Sequence, residues 1–222
     1  MADRAVVFDM DGVLVDSYRP HLLAWQRMAR AHGLEISEEQ FAAGFGKTGR
    51  ENIATLWGDR VRPEDVQAMD DEKEADYREI IEADFPEMPG AGRLMRELHA
   101  AGFGMAIGSS GPAANVEVVA RRLSEGKLLG ATVHGVEVPR GKPDPAIFLL
   151  AAERLGVRPG RCVVIEDAPA GILAAHAAGM AVIAMTGTAA RERLSSAESI
   201  VDSLGELNVP AIAALIDRSR GR

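Results

Sequence analysis

Near its start the chain carries a short apolar run, Ala5-Val6-Val7-Phe8, and polar residues with a glycine follow at once. Such a run, closed by turn residues, predicts a buried strand. From Tyr18 to Phe85 the period changes. No strand-like run occurs there, and apolar residues recur at helical spacing, as Leu22, Leu23, Trp25 and Met28 do between Pro20 and Ala31, a helix expected to stop near Gly33. Ser37-Glu38-Glu39-Gln40 has the pattern of a capping box and opens a short helix. A loop is expected over Gly44-Phe45-Gly46-Lys47-Thr48-Gly49, then a short helix from Arg50 to Trp57. Pro63 to Ala83 reads as one long charged helix carrying Val66, Met69, Tyr77, Ile80 and Ile81. Residues 18–85 thus form an all-helical insert, within the usual size range of a domain.

Pro86 to Gly92, with two prolines and two glycines, reads as the hinge back. Strand and helix signals alternate from there. Helices are expected at Leu94–Ala101, Pro112–Leu123, Asp144–Leu155, Ala170–Ala178 and Pro210–Ile216. Strands are expected at Phe103–Gly108, Ala131–His134, Cys162–Ile165, Ala181–Met185 and Ser199–Asp202, and a frayed tail at Arg218–Arg222. This alternation predicts an α/β unit: a mostly parallel sheet with helices on both faces, built from residues 1–17 and 86–222.

Composition narrows the partners. The 222 residues carry a net charge of −8, so no broad basic surface is available and nucleic acid is not an expected partner. Any phosphate must be met by a few local cations or a metal. The lone cysteine, Cys162, cannot form an internal disulfide, which suits a reducing compartment. No signal peptide and no apolar run long enough to span a bilayer are seen, so the expected location is the cytoplasm, with no membrane partner. With no long exposed apolar stripe, a monomer is expected.

Four strand ends carry the candidate chemistry. The first strand runs into Asp9-Met10-Asp11-Gly12-Val13-Leu14-Val15-Asp16-Ser17, two carboxylates two residues apart and then a glycine. Buried carboxylates are costly unless a metal or a partner offsets them, and the C-terminal end of a strand in an open α/β sheet is where ligands bind. The same residues also read as an Asp/Gly turn after a strand. Gly108-Ser109-Ser110-Gly111 offers a hydroxyl beside backbone amides, suited to phosphate oxygens and equally to an ordinary turn. Gly141-Lys142-Pro143-Asp144-Pro145 places a lysine in a Gly/Pro frame that opens a helix. Val163-Val164-Ile165-Glu166-Asp167 ends an apolar strand in two adjacent acids, which need a cation unless Asp167 merely caps the next helix. Magnesium prefers oxygen ligands and keeps some waters, so one or two carboxylates with a phosphate suffice.

In order and spacing these four stretches closely resemble motifs I to IV of the haloacid dehalogenase (HAD) superfamily of phosphatases and phosphomutases. The resemblance covers nearly the whole chain. It implies a Rossmann-like, doubly wound parallel core with the first strand central, and an inserted helical cap (residues 18–85) of the class I branch, similar to the β-phosphoglucomutase/phosphoglycolate-phosphatase group. It implies Asp9 as nucleophile, Asp11 as general acid/base, and Ser109 and Lys142 as phosphate and charge partners. It also implies a Mg²⁺ site made of Asp9, Asp167 and the backbone carbonyl of Asp11, with Glu166 close to the metal. Candidate substrate contacts are Ser110, His21, Lys47, Thr48 and Arg50. His21 reads equally as a helix-face histidine at the boundary of the insert, and the loop charges as solvated.

The implied activity is Mg²⁺-dependent hydrolysis of a small phosphomonoester, a sugar phosphate or phosphoglycolate type, through an aspartyl phosphate. A phosphomutase of the β-phosphoglucomutase type is the alternative. The arginine that follows the loop Ser/Thr in that mutase is replaced here by Gly49, and the lysine near its second motif is absent from Pro112-Ala113-Ala114-Asn115. A non-catalytic binding module is a third reading, and 2-haloacid dehalogenation is disfavoured because that chemistry needs neither the second Asp nor a metal.

Overall fold

The structure, a computed structural model, describes residues 2–44 and 48–219. The chain forms two compact units: the residues up to Asp16 with those from Pro86 onward, and Ser17–Phe85.

In the first unit, β1 (Ala5–Phe8) is buried along its whole length, as the apolar run requires. The second unit follows, with α1 (Tyr18–Ala31), α2 (Glu38–Gly44), α3 (Gly49–Trp57) and α4 (Val66–Ala83). Their common core holds Leu22, Trp25, Met28, Phe41, Ile53, Trp57 and Met69. The Ser37 box forms as expected: Gln40 N–H donates to Ser37 Oγ (3.1 Å), and Ser37 N–H donates to Gln40 Oε1 (2.9 Å). The single helix expected over Pro63–Ala83 instead begins as a tight turn at Pro63–Asp65, and regular helix starts at Val66.

The first unit resumes at Pro86, where the chain runs antiparallel to its own exit: Asp16 N–H donates to Pro86 O (2.9 Å) and Met88 N–H to Leu14 O (2.9 Å). Then come α5 (Ala91–Ala100), β2 (Gly104–Gly108), α6 (Ala113–Arg122), β3 (Ala131–Val133), α7 (Ala146–Leu155), β4 (Cys162–Glu166), α8 (Pro169–Ala177), β5 (Ala181–Met185), β6 (Ser199–Val201) and α9 (Val209–Ser219). Helix α5 starts three residues before the expected Leu94, because Ala91 and Gly92 already have helical hydrogen bonding after Gly90. At the other end, α9 continues through Arg218, which was expected in a frayed tail; Ile212 and Ile216 are fully buried and hold the helix down.

Among the described residues, six strands form one parallel sheet in the order β3-β2-β1-β4-β5-β6. Alternate residues (Ala5, Val7, Ala106, Val164, Val182, Ala184) pack with Ile147, Phe148 and Ala151 of α7 and Ile172, Ala174 and Ala175 of α8. The other face is covered as well, so the strands read as continuous apolar runs rather than alternating ones. The fold is thus a Rossmann-like α/β core carrying a helical insert. No described helix is long and apolar enough to cross a membrane.

The register positions the chemistry. Phe8 is opposite Ile107 on one side and Ile165 on the other. The next residues, Asp9, Gly108 with Ser109, and Glu166 with Asp167, therefore emerge together at the C-terminal edge of the sheet. The strand order also reverses direction at β1, which is where an open α/β sheet forms its crevice.

Candidate active site

Asp9 leaves β1 with its N–H donated to Ile165 O (2.9 Å), so its backbone is still part of the sheet. The chain then turns tightly: Met10 O accepts from Leu14 N–H (2.9 Å), and Gly12 N–H donates to Val15 O (2.9 Å). Gly12 has φ +74°, and a Cβ there would lie 2.0 Å from Asp167 Oδ2. Only glycine satisfies both the left-handed backbone and this close approach. The glycine of the first motif is therefore a packing requirement of the fourth.

Lys142 reaches the strand ends from the loop before α7. Its Nζ donates to Asp9 Oδ1 (2.5 Å) and Glu166 Oε1 (2.8 Å), and lies 4.9 Å from the centre of the Phe148 ring. Glu166 is spent on structure. Its other oxygen accepts from Asp167 N–H (2.8 Å) and Ala168 N–H (2.6 Å), the amides that open α8. Its carboxylate lies so close over α8 that a Cβ at Gly171 would come 1.7 Å from Oε1.

Asp9, Glu166 and Asp167 are all buried, and each offers an oxygen within 4.8 Å of the others. Three carboxylates against one ammonium leave an excess of two negative charges, which a divalent cation would cancel. An all-oxygen donor set of this kind suits a hard cation. The electrostatics agree. Burial pushes Asp9 up to about 7 against the pull of Lys142, and the charges of Glu166 and Asp11 add to the rise. Asp167 is raised by burial and then by Asp9 and Glu166, and a hydrogen bond from the Thr188 hydroxyl partly offsets this. Burial alone would lower Lys142, yet the carboxylates of Asp9 and Glu166 hold it above its ordinary value, so it stays charged.

Ser109 is buried, and its Oγ accepts from Gly111 N–H (3.0 Å), which leaves the hydroxyl proton free to be given elsewhere. Ser110 is exposed beside it. Asp11 is partly exposed on the turn after β1.

The remaining expected contacts lie in the helical unit. The His21 ring stacks on Tyr77 with centroids 3.9 Å apart and planes 8° from parallel. Thr48 caps α3: its Oγ accepts from Glu51 N–H (3.2 Å), and its own N–H and hydroxyl donate to Glu51 Oε2. Arg50 is exposed on the first turn of the same helix, and Lys47 lies outside the described residues.

Two polar side chains were passed over in the sequence reading. Lys73 of α4 is buried, pairs with Glu74, and lies 5.6 Å from the centre of the Trp25 ring. Its signal was present: Met69, Lys73, Tyr77 and Ile81 recur every four residues along one buried stripe. Thr188, in the loop after β5, meets Asp167 over Gly12, and no local pattern announces it.

A buried carboxylate paired with a charged lysine, beside an acidic cluster able to hold a cation, at the switch point of a Rossmann-like sheet points to phosphate-handling hydrolases. The model of haloacid dehalogenase-like hydrolases matches residues 4–179, and the chain belongs to that family. Among curated relatives, hexitol phosphatase A of Escherichia coli (strain K12) is 36% identical over 215 residues, covering 94% of this chain and 95% of that one. The β-phosphoglucomutase of Bacillus subtilis (strain 168) is 31% identical, covering 93% and 92%. A crystal structure of CbbY from Rhodobacter sphaeroides in complex with xylulose-(1,5)bisphosphate superposes with a TM-score of 0.84 at 25% identity, covering 96% and 99%. The chain is an enzyme acting on phosphate esters.

Proposed function

We propose that the enzyme is a Mg²⁺-dependent phosphatase of small phosphorylated carbohydrates, working through an aspartyl phosphate on Asp9. The observation that carries this reading is the triangle of Asp9, Lys142 and Glu166, in which a buried carboxylate is held by a cation that is itself anchored from behind.

Asp9 is the group that attacks phosphorus. Held by Lys142 and by its sheet hydrogen bond, it has little freedom to lose on reaching the reactive geometry. Asp11, on the turn two residues on, protonates the departing alkoxide and then takes a proton from the incoming water. Lys142 offsets the charge that develops on the transferring group, and the Ser109 hydroxyl is free to donate to one of its oxygens. Asp9, Asp167 and the Asp11 carbonyl would hold Mg²⁺, which when bound supplies the positive charge that lets an anionic nucleophile meet an anionic phosphate. Both oxygens of Glu166 are occupied, so it holds Lys142 in place and reaches the cation only through water.

Substrate choice belongs to the helical insert, acting as a cap, through His21, Arg50, Lys47 and the exposed Ser110 of the core. With its hydroxyl engaged by Glu51, Thr48 serves to start α3 and so to present Arg50. A cytoplasmic monomer acting on a free metabolite fits this reading. The names of the relatives point to hexitol and carbohydrate phosphates. Mutase chemistry is the second reading, since a β-phosphoglucomutase is among them. It is disfavoured because Gly49 and the first turn of α6 lack the extra cations that a second phosphate needs.

The test is phosphate release from hexitol phosphates, hexose phosphates and phosphoglycolate, with Mg²⁺ and with chelator. Metal-dependent release supports the phosphatase. Interconversion of β-glucose 1-phosphate and glucose 6-phosphate without net release would instead establish the mutase.

A further inference from the structure

Asp167 is the acid of the cluster whose carboxylate Lys142 does not hydrogen-bond. Glu166 is gripped by two amides and Lys142, and Asp9 by Lys142. The carboxylate of Asp167 instead meets a side chain from the loop after the neighbouring strand. The register sets Glu166 opposite Ala184, so the loop leaving β5 at Met185 starts beside Asp167. Gly187, with φ +130°, turns that loop, and the Thr188 hydroxyl comes to the Asp167 carboxylate over the α-carbon of Gly12, where it favours the charged acid.

A second observation converges on the same point. A Cβ built on Gly12 would meet Asp167 Oδ2 at 2.0 Å and Thr188 Oγ1 at 2.8 Å, so both groups close over the bare α-carbon of Gly12. The first-strand turn is the floor and Thr188 the wall of the niche that holds this carboxylate. The loop is also braced: Thr186 Oγ donates to Asp202 Oδ1 (2.6 Å), and an Arg191 guanidinium N–H donates to the same oxygen (2.5 Å). Thr188 itself is exposed, and no core packing depends on it.

We propose that Thr188 is a positioning residue for the metal centre: its hydroxyl fixes the orientation of the Asp167 carboxylate so that the ligand oxygen is kept toward Asp9. This rests on the reading of Asp167 as a cation ligand. A carboxylate has two oxygens and a free χ2, and a ligating carboxylate whose outer hydrogen bond is removed typically loses 10–100-fold in metal affinity. Substrate contacts are not involved, so the effect falls on the metal and is repaired by raising its concentration.

The experiment is calorimetric titration of metal-free enzyme with Mg²⁺, for the natural chain, Thr188→Val and Thr188→Ser. Thr188→Val keeps the shape and removes the hydroxyl, and is expected to bind Mg²⁺ about tenfold more weakly. Thr188→Ser is expected to bind within about twofold of the natural chain. In chelator, all three are expected to melt together. Equal Mg²⁺ affinity in Thr188→Val and the natural chain would overturn the positioning role alone. A fall in the metal-free melting temperature of both variants, in step with affinity, would make Thr188 a loop-packing residue and overturn it too. Failure of the natural chain itself to bind Mg²⁺ would remove the metal reading along with the proposal.

Discussion

The ammonium of Lys142 lies 2.5 Å from Oδ1 of Asp9 and is tied on its other side to Glu166. In the proposed mechanism, the carboxylate that attacks phosphorus thus has a fixed positive neighbour before any substrate arrives. Buried ion pairs add little net stability over apolar packing, but removing one partner leaves the other uncompensated. Lys142→Met is therefore expected to lower kcat by about 10²–10³-fold, the usual cost of losing one preorganised charge partner. The variant leaves Asp9 and Glu166 buried without their cation, so its metal-free form should also melt below the natural chain, by more at pH 8 than at pH 5. Steady-state kinetics and thermal melts in chelator check both statements.

Gly171 offers a test whose sign is unusual. In an exposed helix interior, Gly→Ala stabilises by about 0.5–1 kcal/mol. Here the added methyl would sit 1.7 Å from Glu166 Oε1, inside the carboxylate that anchors Lys142. Gly171→Ala is expected to destabilise by about 1–3 kcal/mol and to lower kcat, because Glu166 cannot keep both its amide partners and Lys142. Denaturant midpoints and turnover of the same preparation decide it.

A pH dependence follows from the crowding of carboxylates. Asp9 has an ordinary value of 3.8 and is raised to about 7, with burial as the leading cause. Asp167 is raised for the same reason. Across pH 4–7 the folded metal-free chain holds protons that the unfolded chain has released, so this contribution to stability is complete at low pH and is lost as pH rises. Mg²⁺ bound by these acids would displace those protons and remove the penalty. The gain in melting temperature on adding Mg²⁺ should therefore grow from pH 5 to about pH 7.5 and then level off. Melts in Mg²⁺ and in chelator at a series of pH values measure it; a gain that is constant or shrinks with pH contradicts it.

Much of this was legible in the sequence, for a physical reason. Strands of a parallel sheet covered on both faces must be apolar throughout, so Ala5–Phe8, Cys162–Ile165 and Ala181–Met185 stood out without any alternation to interpret. The acids and the lysine stood out because each breaks such a run or sits in a Gly/Pro frame. What the sequence could not display were contacts made across the sheet edge. Gly12 against Asp167, Gly171 against Glu166, and Thr188 against Asp167 depend on distances between separate segments. Lys73 was hidden for the opposite reason: a charge on a helix is assigned to solvent unless its apolar neighbours at four-residue spacing are counted. Thr48 carried a readable signal, Thr-Gly-Arg-Glu, the spacing of a capping box, and the structure uses it in that way.

The most direct measurement is phosphate release by Asp9→Asn beside the natural chain, on the best sugar or sugar-alcohol phosphate, with saturating Mg²⁺. Asparagine nearly preserves shape but is a poor nucleophile toward phosphorus, so release is expected to fall by at least about 10³-fold while circular dichroism shows an intact fold. Turnover within a few-fold of the natural chain would contradict Asp9 as the phosphoryl acceptor, and with it the account of Lys142 and Glu166 built around it.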